Sequence, residues 1–297
     1  MTMPTRVTEA SMTTKALADI QRSASRGQKL QQQISSGKQL SRPSDSPTGT
    51  VTSLQLRGEV RATQQYSRNA DDGLGWLGTI QDKLGDASSQ ILRVRDLTVQ
   101  ALNNTSTDPG SREALAVEID NIRDSLIGEA NTKYMGRPVF GGTTAGDVAY
   151  DTSGNYKGDA GQTTRTVGPN SKVRIETSGP EAFGTGNTQL FQVLSGISQD
   201  IRANDGSTLS DDLTNLDTAH DLLNSTLSDV GARYNRVTQM KQSADDHLLS
   251  VSSQLSDIED VDLPKAIMDL QIQQTSYQAA LAATAKVIQP SLIDFLR

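Results

Sequence analysis

Leu209, Leu213, Leu216, Leu223, Leu227, Val230, Tyr234, Val237, Ala244, Leu248, Val251, Leu255 and Ile258 run through residues 209–258 in steps that alternate four and three. Only His220 and Lys241 interrupt this seam. An apolar period of 3.5 held over so many turns is the signature of a coiled coil. At 1.5 Å per residue such a helix is roughly 75 Å long. Thr208 with Asp211 reads as the capping pair at its start.

A partner for this seam lies earlier in the chain. Leu77, Ile80, Leu84, Ala87, Ile91, Val94, Thr98 and Ala101 repeat the spacing, and Leu115, Ile119, Ile122 and Leu126 repeat it in short form. Asp108-Pro109 suits an N-cap followed by proline in the first turn, so residues 103–107 read as the turn of an αα-hairpin. Three helices of this kind form an antiparallel bundle. Between Arg137 and Gly186 the helical period disappears and ten of the 24 glycines gather. Val148–Tyr156 reads as two short strands about a turn, and Lys172–Thr177 alternates as a half-buried strand does. Leu190–Ile201 reads as a short helix leading back.

The two ends carry thinner stripes. Residues 5–36 hold Leu17, Ile20, Ala24, Gly27, Gln31 and Ile34, and Gly37 stands where a glycine ends a helix. Residues 265–296 hold Ile267, Leu270, Gln274, Tyr277, Leu281, Thr284 and Ile288, with Phe295 near the close. Stripes so rich in small and polar residues are marginal alone, since short helices need packing partners. The expectation is that the two ends meet and complete their burial against neighbouring molecules. The fold class expected is mainly α: an elongated antiparallel coiled-coil and helical-bundle rod formed by the N- and C-terminal regions, with a small inserted β-rich domain. The expected domains are residues 1–40 with 259–297 (terminal coiled coil), 41–136 with 205–258 (rod) and 137–204 (insertion).

Composition agrees with a lean core. Of 297 residues, 34% are hydrophobic and only 4% aromatic, fewer large apolar side chains than a compact domain of this length normally uses. The formal charge of −7 and the lack of any basic run argue against nucleic acid as a main partner. No 18-residue apolar stretch and no apolar leader core are visible, so neither membrane insertion nor a cleaved signal is expected. The absence of cysteine fits a cytosolic enzyme and a protein exported unfolded equally well.

Chemical motifs are sparse. His220 reads as a packed polar seam residue and His247, after Asp245-Asp246, as part of a solvated face. The acidic run Asp257, Glu259, Asp260, Asp262 lacks calcium-loop spacing and reads as solvated. No nucleophile–base motif or glycine-rich phosphate loop stands out, so no catalytic, metal or cofactor residue is assigned. Gly73, Gly75 and Gly78 around Trp76 imply either close approach of another helix or a bend.

Ser35-Ser36-Gly37-Lys38-Gln39-Leu40-Ser41-Arg42-Pro43-Ser44-Asp45-Ser46-Pro47 resembles the motif after the first helix in the hook–filament junction branch of the bacterial flagellin family. That branch reads serine-(threonine or serine)-glycine-lysine, a spacer, then asparagine-proline-serine-aspartate-aspartate-proline; Arg42 and Ser46 depart from it. Asn131–Gly142 resembles the family's exit from the helical region, with Pro138 as a departure, and Gln271–Leu281 followed by Ile288–Leu296 resembles its closing helix and its leucine–aspartate–aromatic–leucine end. By this resemblance the chain is a structural subunit of the flagellum, exported by the flagellar type III apparatus with a chaperone on its C-terminal helix. It would form a homo-oligomeric ring, join the hook through the preceding hook-associated protein to the flagellin filament, and template filament growth. Filament flagellin itself is the alternative, with a coiled-coil signalling or adhesin module further off and an enzyme last. Assembly candidates are Leu17, Ile20, Ile34, Gly37, Pro43, Asp45, Pro47, Ile267, Leu270, Tyr277, Leu281, Ile288 and Phe295. Pro43 and Pro47 stiffen the 35–47 link, which serves either as a hinge or as a direct contact to a neighbouring subunit type.

Overall fold

The computed structural model describes residues 9–103, 108–144 and 146–288. Of the turn expected at 103–107, Asn103 ends the second long helix and residues 104–107 lie outside the described residues, as does Phe295. The fold is mainly α. Seven helices are described: α1 Glu9–Ser36, α2 Pro47–Asn103, α3 Pro109–Ala130, α4 Gly179–Phe183, α5 Leu190–Ala203, α6 Gly206–Glu259 and α7 Leu263–Ile288. Two antiparallel ladders complete the described residues, β1 Lys133–Tyr134 with β2 Arg137–Pro138 and β3 Thr164–Gly168 with β4 Ser171–Arg174. The chain divides into two compact units, residues 1–61 with 249–297 and residues 62–248.

In the 62–248 unit, α2 and α6 run antiparallel in one unbroken register. Ser67 bonds Asp245, Asp71 pairs with Lys241, Ser88 bonds Asn224 and Arg95 pairs with Asp217. Each forward step on α2, of four, seventeen and seven residues, is matched by an equal step back on α6. Leu77, Ile80, Leu84, Ile91 and Val94 are buried against Leu216, Leu223, Val230 and Val237, as the seams require. His220 is accommodated by Ser88 Oγ at 3.0 Å and by Asn224 one turn on. The cap of α6 differs from the Thr208–Asp211 expectation. The Asp205 carboxylate accepts from the Ser207 and Thr208 amides at 3.1 and 3.3 Å. Asn204 adopts a left-handed conformation (φ 58°) that ends α5 and delivers Asp205 directly into the N-cap position.

The stretch between α3 and α6 holds little regular strand. Val148–Tyr156 forms a single bridge, Tyr150 to Tyr156, rather than a ladder. Asp151 organises that turn by accepting from the Ser153 and Asn155 amides at 3.0 and 2.8 Å. An aromatic nucleus holds the region together: Phe183 lies 5.1 Å from Phe140 and 5.3 Å from Phe191, and Tyr150 lies 4.8 Å from Phe191. Three of the four phenylalanines of the chain are spent here, so the low aromatic content conceals a local core. Helix α5 packs on α3, where Arg202 pairs with Glu113 and Asp120. On its other side α5 faces α6 with a carboxyl pair. Asp212 Oδ2 is buried without a donor, and the space beside Gly196 is filled by it. Burial and the nearby Asp200 push the Asp212 carboxyl up to about 6.

Candidate assembly surface

Every expected assembly residue among the described ones falls in the 1–61 and 249–297 unit. Helices α1 and α7 pack against each other, and Gln273 Nε2 crosses between them to Ser23 O and Oγ at 3.0 and 2.7 Å. The contact stripe is shallow. Ile20, Ala24, Leu30 and Ile34 on α1 and Leu270, Tyr277 and Ala280 on α7 are half-buried, and Ala266 is the sole fully buried apolar residue of α7 among the described residues. Leu17 stays 57% exposed, Ile267 46% and Leu281 41%, with Met268 and Ile272 beside them on α7. The side chain of Ile288 is outside the described residues. A cleft of about 260 Å³, lined by Ala24, Gly27, Leu270 and Tyr277 among others, remains between the two helices. Two helices that leave this much apolar surface in water gain from further helical partners.

The link from α1 to α2 is built residue by residue. Gly37 takes φ +69°, a conformation that a Cβ would strain, and ends α1. The next residues pair with the end of α6: Gln39 N donates to Glu259 O at 2.6 Å and Val261 N donates to Gly37 O at 3.0 Å. Asp45 then folds the loop back. Its Oδ2 accepts from the Ser41 and Arg42 amides at 3.3 and 3.0 Å, and its Oδ1 pairs with Lys29 of α1 at 2.8 Å. These donors hold the Asp45 carboxyl below its usual range, Lys29 first among them. Pro43 lies in this loop, and Ser46 Oγ accepts from Gly49 N at 3.1 Å so that α2 opens with Pro47 in its first turn.

Glu259 is the residue that sequence reasoning missed. The acidic run 257–262 is not simply solvated: the Glu259 side chain is 3% exposed. Arg57 grips it as a fork, Nε to Oε1 at 2.6 Å and Nη2 to Oε2 at 2.7 Å. Ser53 Oγ donates to Oε1 at 2.7 Å, and Lys38 Nζ reaches Oε2 at 3.3 Å and Asp260 Oδ1 at 2.6 Å. The Arg57 guanidinium, ahead of Ser53 and Lys38, pulls the Glu259 carboxyl down to about 2. The seam gave no signal for it, since the inward position after Leu255 is Ile258 and Glu259 stands one residue beyond. An inward carboxylate needs a cation, and Arg57 and Lys38 supply it.

No group of three or more histidine, aspartate or glutamate side chains is placed to hold a metal ion among the described residues, and no described helix is long and apolar enough to cross a membrane. The arrangement buries helices and clasps a chain crossing.

Comparison with known proteins places this architecture. Residues 7–145 match the bacterial flagellin N-terminal helical region, and residues 213–296 match the bacterial flagellin C-terminal helical region. The flagellin of Bacillus subtilis is 26% identical over 89% of this chain and 90% of its own length. Flagellar hook-associated protein 3 of Escherichia coli is 24% identical over 86% of this chain and 88% of its own. In structure, FlgL of Bacillus cereus superposes with a TM-score of 0.61, covering 68% of this chain and 99% of that one at 21% identity. The chain therefore belongs to the bacterial flagellin family and is a structural, non-enzymatic component of the bacterial flagellum.

Proposed function

We propose that this chain is the hook–filament junction subunit, seated on the preceding hook-associated protein and offering the surface on which flagellin polymerises. The observation that carries the reading is the 35–47 link. Its sequence follows the junction pattern with two prolines, and its loop is held at both ends, by Lys29–Asp45 on one side and by the bridge of residues 37–39 to 259–261 on the other. A clasped, proline-stiffened link supports a subunit that must present a fixed surface to two different neighbours. The half-covered α1 and α7 supply the rest, since their burial on assembly would offset the entropy of ordering the chain ends. Export through the flagellar type III route, with a chaperone covering the exposed α7 surface beforehand, belongs to the same reading, as does a homo-oligomeric ring.

A filament subunit is the second reading, because relatives named flagellin align over nearly the whole chain. Immunogold labelling of sheared flagella separates the two. The junction reading expects gold only at the boundary between hook and filament, with hook-associated proteins recovered in pull-downs. Label spread along the filament would replace it with the filament reading.

A further inference from the structure

The last turn of α3 sets a carboxyl group against an amide. Glu129 stands one residue before the helix ends at Ala130, in a last turn that holds no basic residue. The final carbonyls of the helix gather there, and their partial negative charge disfavours a carboxylate. Across from it lies Gln90 of α2, whose Nε2 donates to Glu129 Oε1 at 2.6 Å. The other two oxygens of the pair, Gln90 Oε1 and Glu129 Oε2, are both sealed from solvent, and neither meets a donor of the protein. Two buried acceptors in one contact destabilise it until a hydrogen is supplied to them.

The charged groups that act on Glu129 are Lys83 and Asp86, both of α2, and these two pair with each other at 2.8 Å. Burial above all, with Asp86 behind it, pushes the Glu129 carboxyl up against the opposing pull of Lys83 and the Gln90 amide. The contact sits where the chain leaves the helices. Asn131 caps α3, and its Oδ1 accepts from the Ala149 and Tyr150 amides at 2.7 and 2.9 Å. Tyr134 follows on β1, edge-on to Trp76 of α2 with ring centroids 5.6 Å apart. Its ring fills the space that a side chain at Gly75 would need, so the close approach at this glycine is by a hairpin ring and not by another helix. The Gln90–Glu129 contact thus fastens the root of the hairpin to α2.

We propose that Glu129 and Gln90 form a proton-carrying lock between α3 and α2, in which protonated Glu129 Oε2 donates to Gln90 Oε1. A carboxylic acid and a primary amide joined in this way close a ring of two hydrogen bonds, and both orphaned oxygens are satisfied by the one proton. Loss of the proton keeps the Gln90 Nε2 bond but sets a buried carboxylate oxygen against the amide oxygen. The sign follows from a folded-state value above the unfolded one: the lock contributes fully below the ordinary glutamate value and is lost as pH rises through the raised one. Acid therefore tightens the exit from α3 to the hairpin, and rising pH slackens it. The lock belongs to the 62–248 unit by itself and stands apart from the junction reading.

Glu129→Gln tests this directly, because a second amide closes the same ring at every pH. In the full-length protein the variant should raise Tm at about pH 7.5 by about 2–4 °C and leave it nearly unchanged at about pH 4. The infrared difference spectrum between wild type and variant should contain the carbonyl band of a protonated carboxylic acid, and that band should vanish with a midpoint above the ordinary glutamate value. Amide hydrogen exchange, corrected for the intrinsic effect of pH, gives a reading from the wild type alone. Residues 127–134 should exchange several-fold more slowly at about pH 4 than at about pH 7.5, whereas the variant should keep the slow rate at both. A carboxyl band that titrates at or below the ordinary glutamate value overturns the proposal, as does wild-type exchange in 127–134 that does not change with pH.

Discussion

Glu259 shows how much one residue can carry in a unit with almost no apolar core. It is nearly sealed from solvent, yet it stays ionised because Arg57, Ser53 and Lys38 converge on it. Its folded-state value of about 2 lies below the ordinary glutamate value. The sign follows: the stabilisation is fully present above about pH 4.5 and is lost as pH falls through about 2. Arg57 is half exposed, so screening reduces the effect, and Glu259→Gln should cost the 1–61 and 249–297 unit about 2 kcal/mol at pH 7. Urea melts followed by a probe placed on α7 check this. The difference between wild type and Glu259→Gln should shrink between pH 4.5 and pH 2.5, and a difference that does not depend on pH would exclude an ionised clasp. Sequence alone read this residue as solvated, because the Arg57 that holds it comes from some two hundred positions away.

Helices were the legible elements. The four–three seams of α2 and α6 marked their inward faces, because a 3.5 period leaves one apolar stripe on each helix; the register came from the structure. The thinner stripes of α1 and α7 were placed less well. Ile267 and Leu281 fall outside the α1–α7 contact and Gln273 falls within it, since on a helix with so many alanines and glutamines several faces are equally apolar. The aromatic nucleus of Phe140, Tyr150, Phe183 and Phe191 was not legible at all: its members are scattered over fifty residues and share no period. A test at this scale uses the α5–α6 carboxyl pair. Asp212 is raised to about 6, so the stability it contributes is fully present below the ordinary aspartate value and is lost as pH rises through 6. The groups around it are Asp200 on α5, Asp211 and Asn215 on α6, and Arg112 of α3, which lines the same small cavity as Asp200. Asp212→Asn should therefore raise Tm at pH 7.5 and have a smaller effect at pH 5. Equal shifts at both values would contradict a raised Asp212 carboxyl.

At the scale of the whole molecule, the two units divide the labour. Residues 62–248 bury long seams and an aromatic nucleus and have what a folded unit needs. Residues 1–61 with 249–297 bury little beyond a polar clasp and leave Leu17, Ile267, Met268, Ile272 and Leu281 in water. The expected division into three rested on differences in period and glycine content, whereas the compact units are two and meet at 61/62 and 248/249. The proposed junction position rests on the short 35–47 motif. The most direct measurement is deletion of residues 265–297 followed by both a melt and a complementation assay in a strain lacking the gene. The account predicts that the melting transition of the 62–248 unit persists while incorporation into flagella and swimming are abolished. A truncated protein that restores filaments and swimming would contradict it.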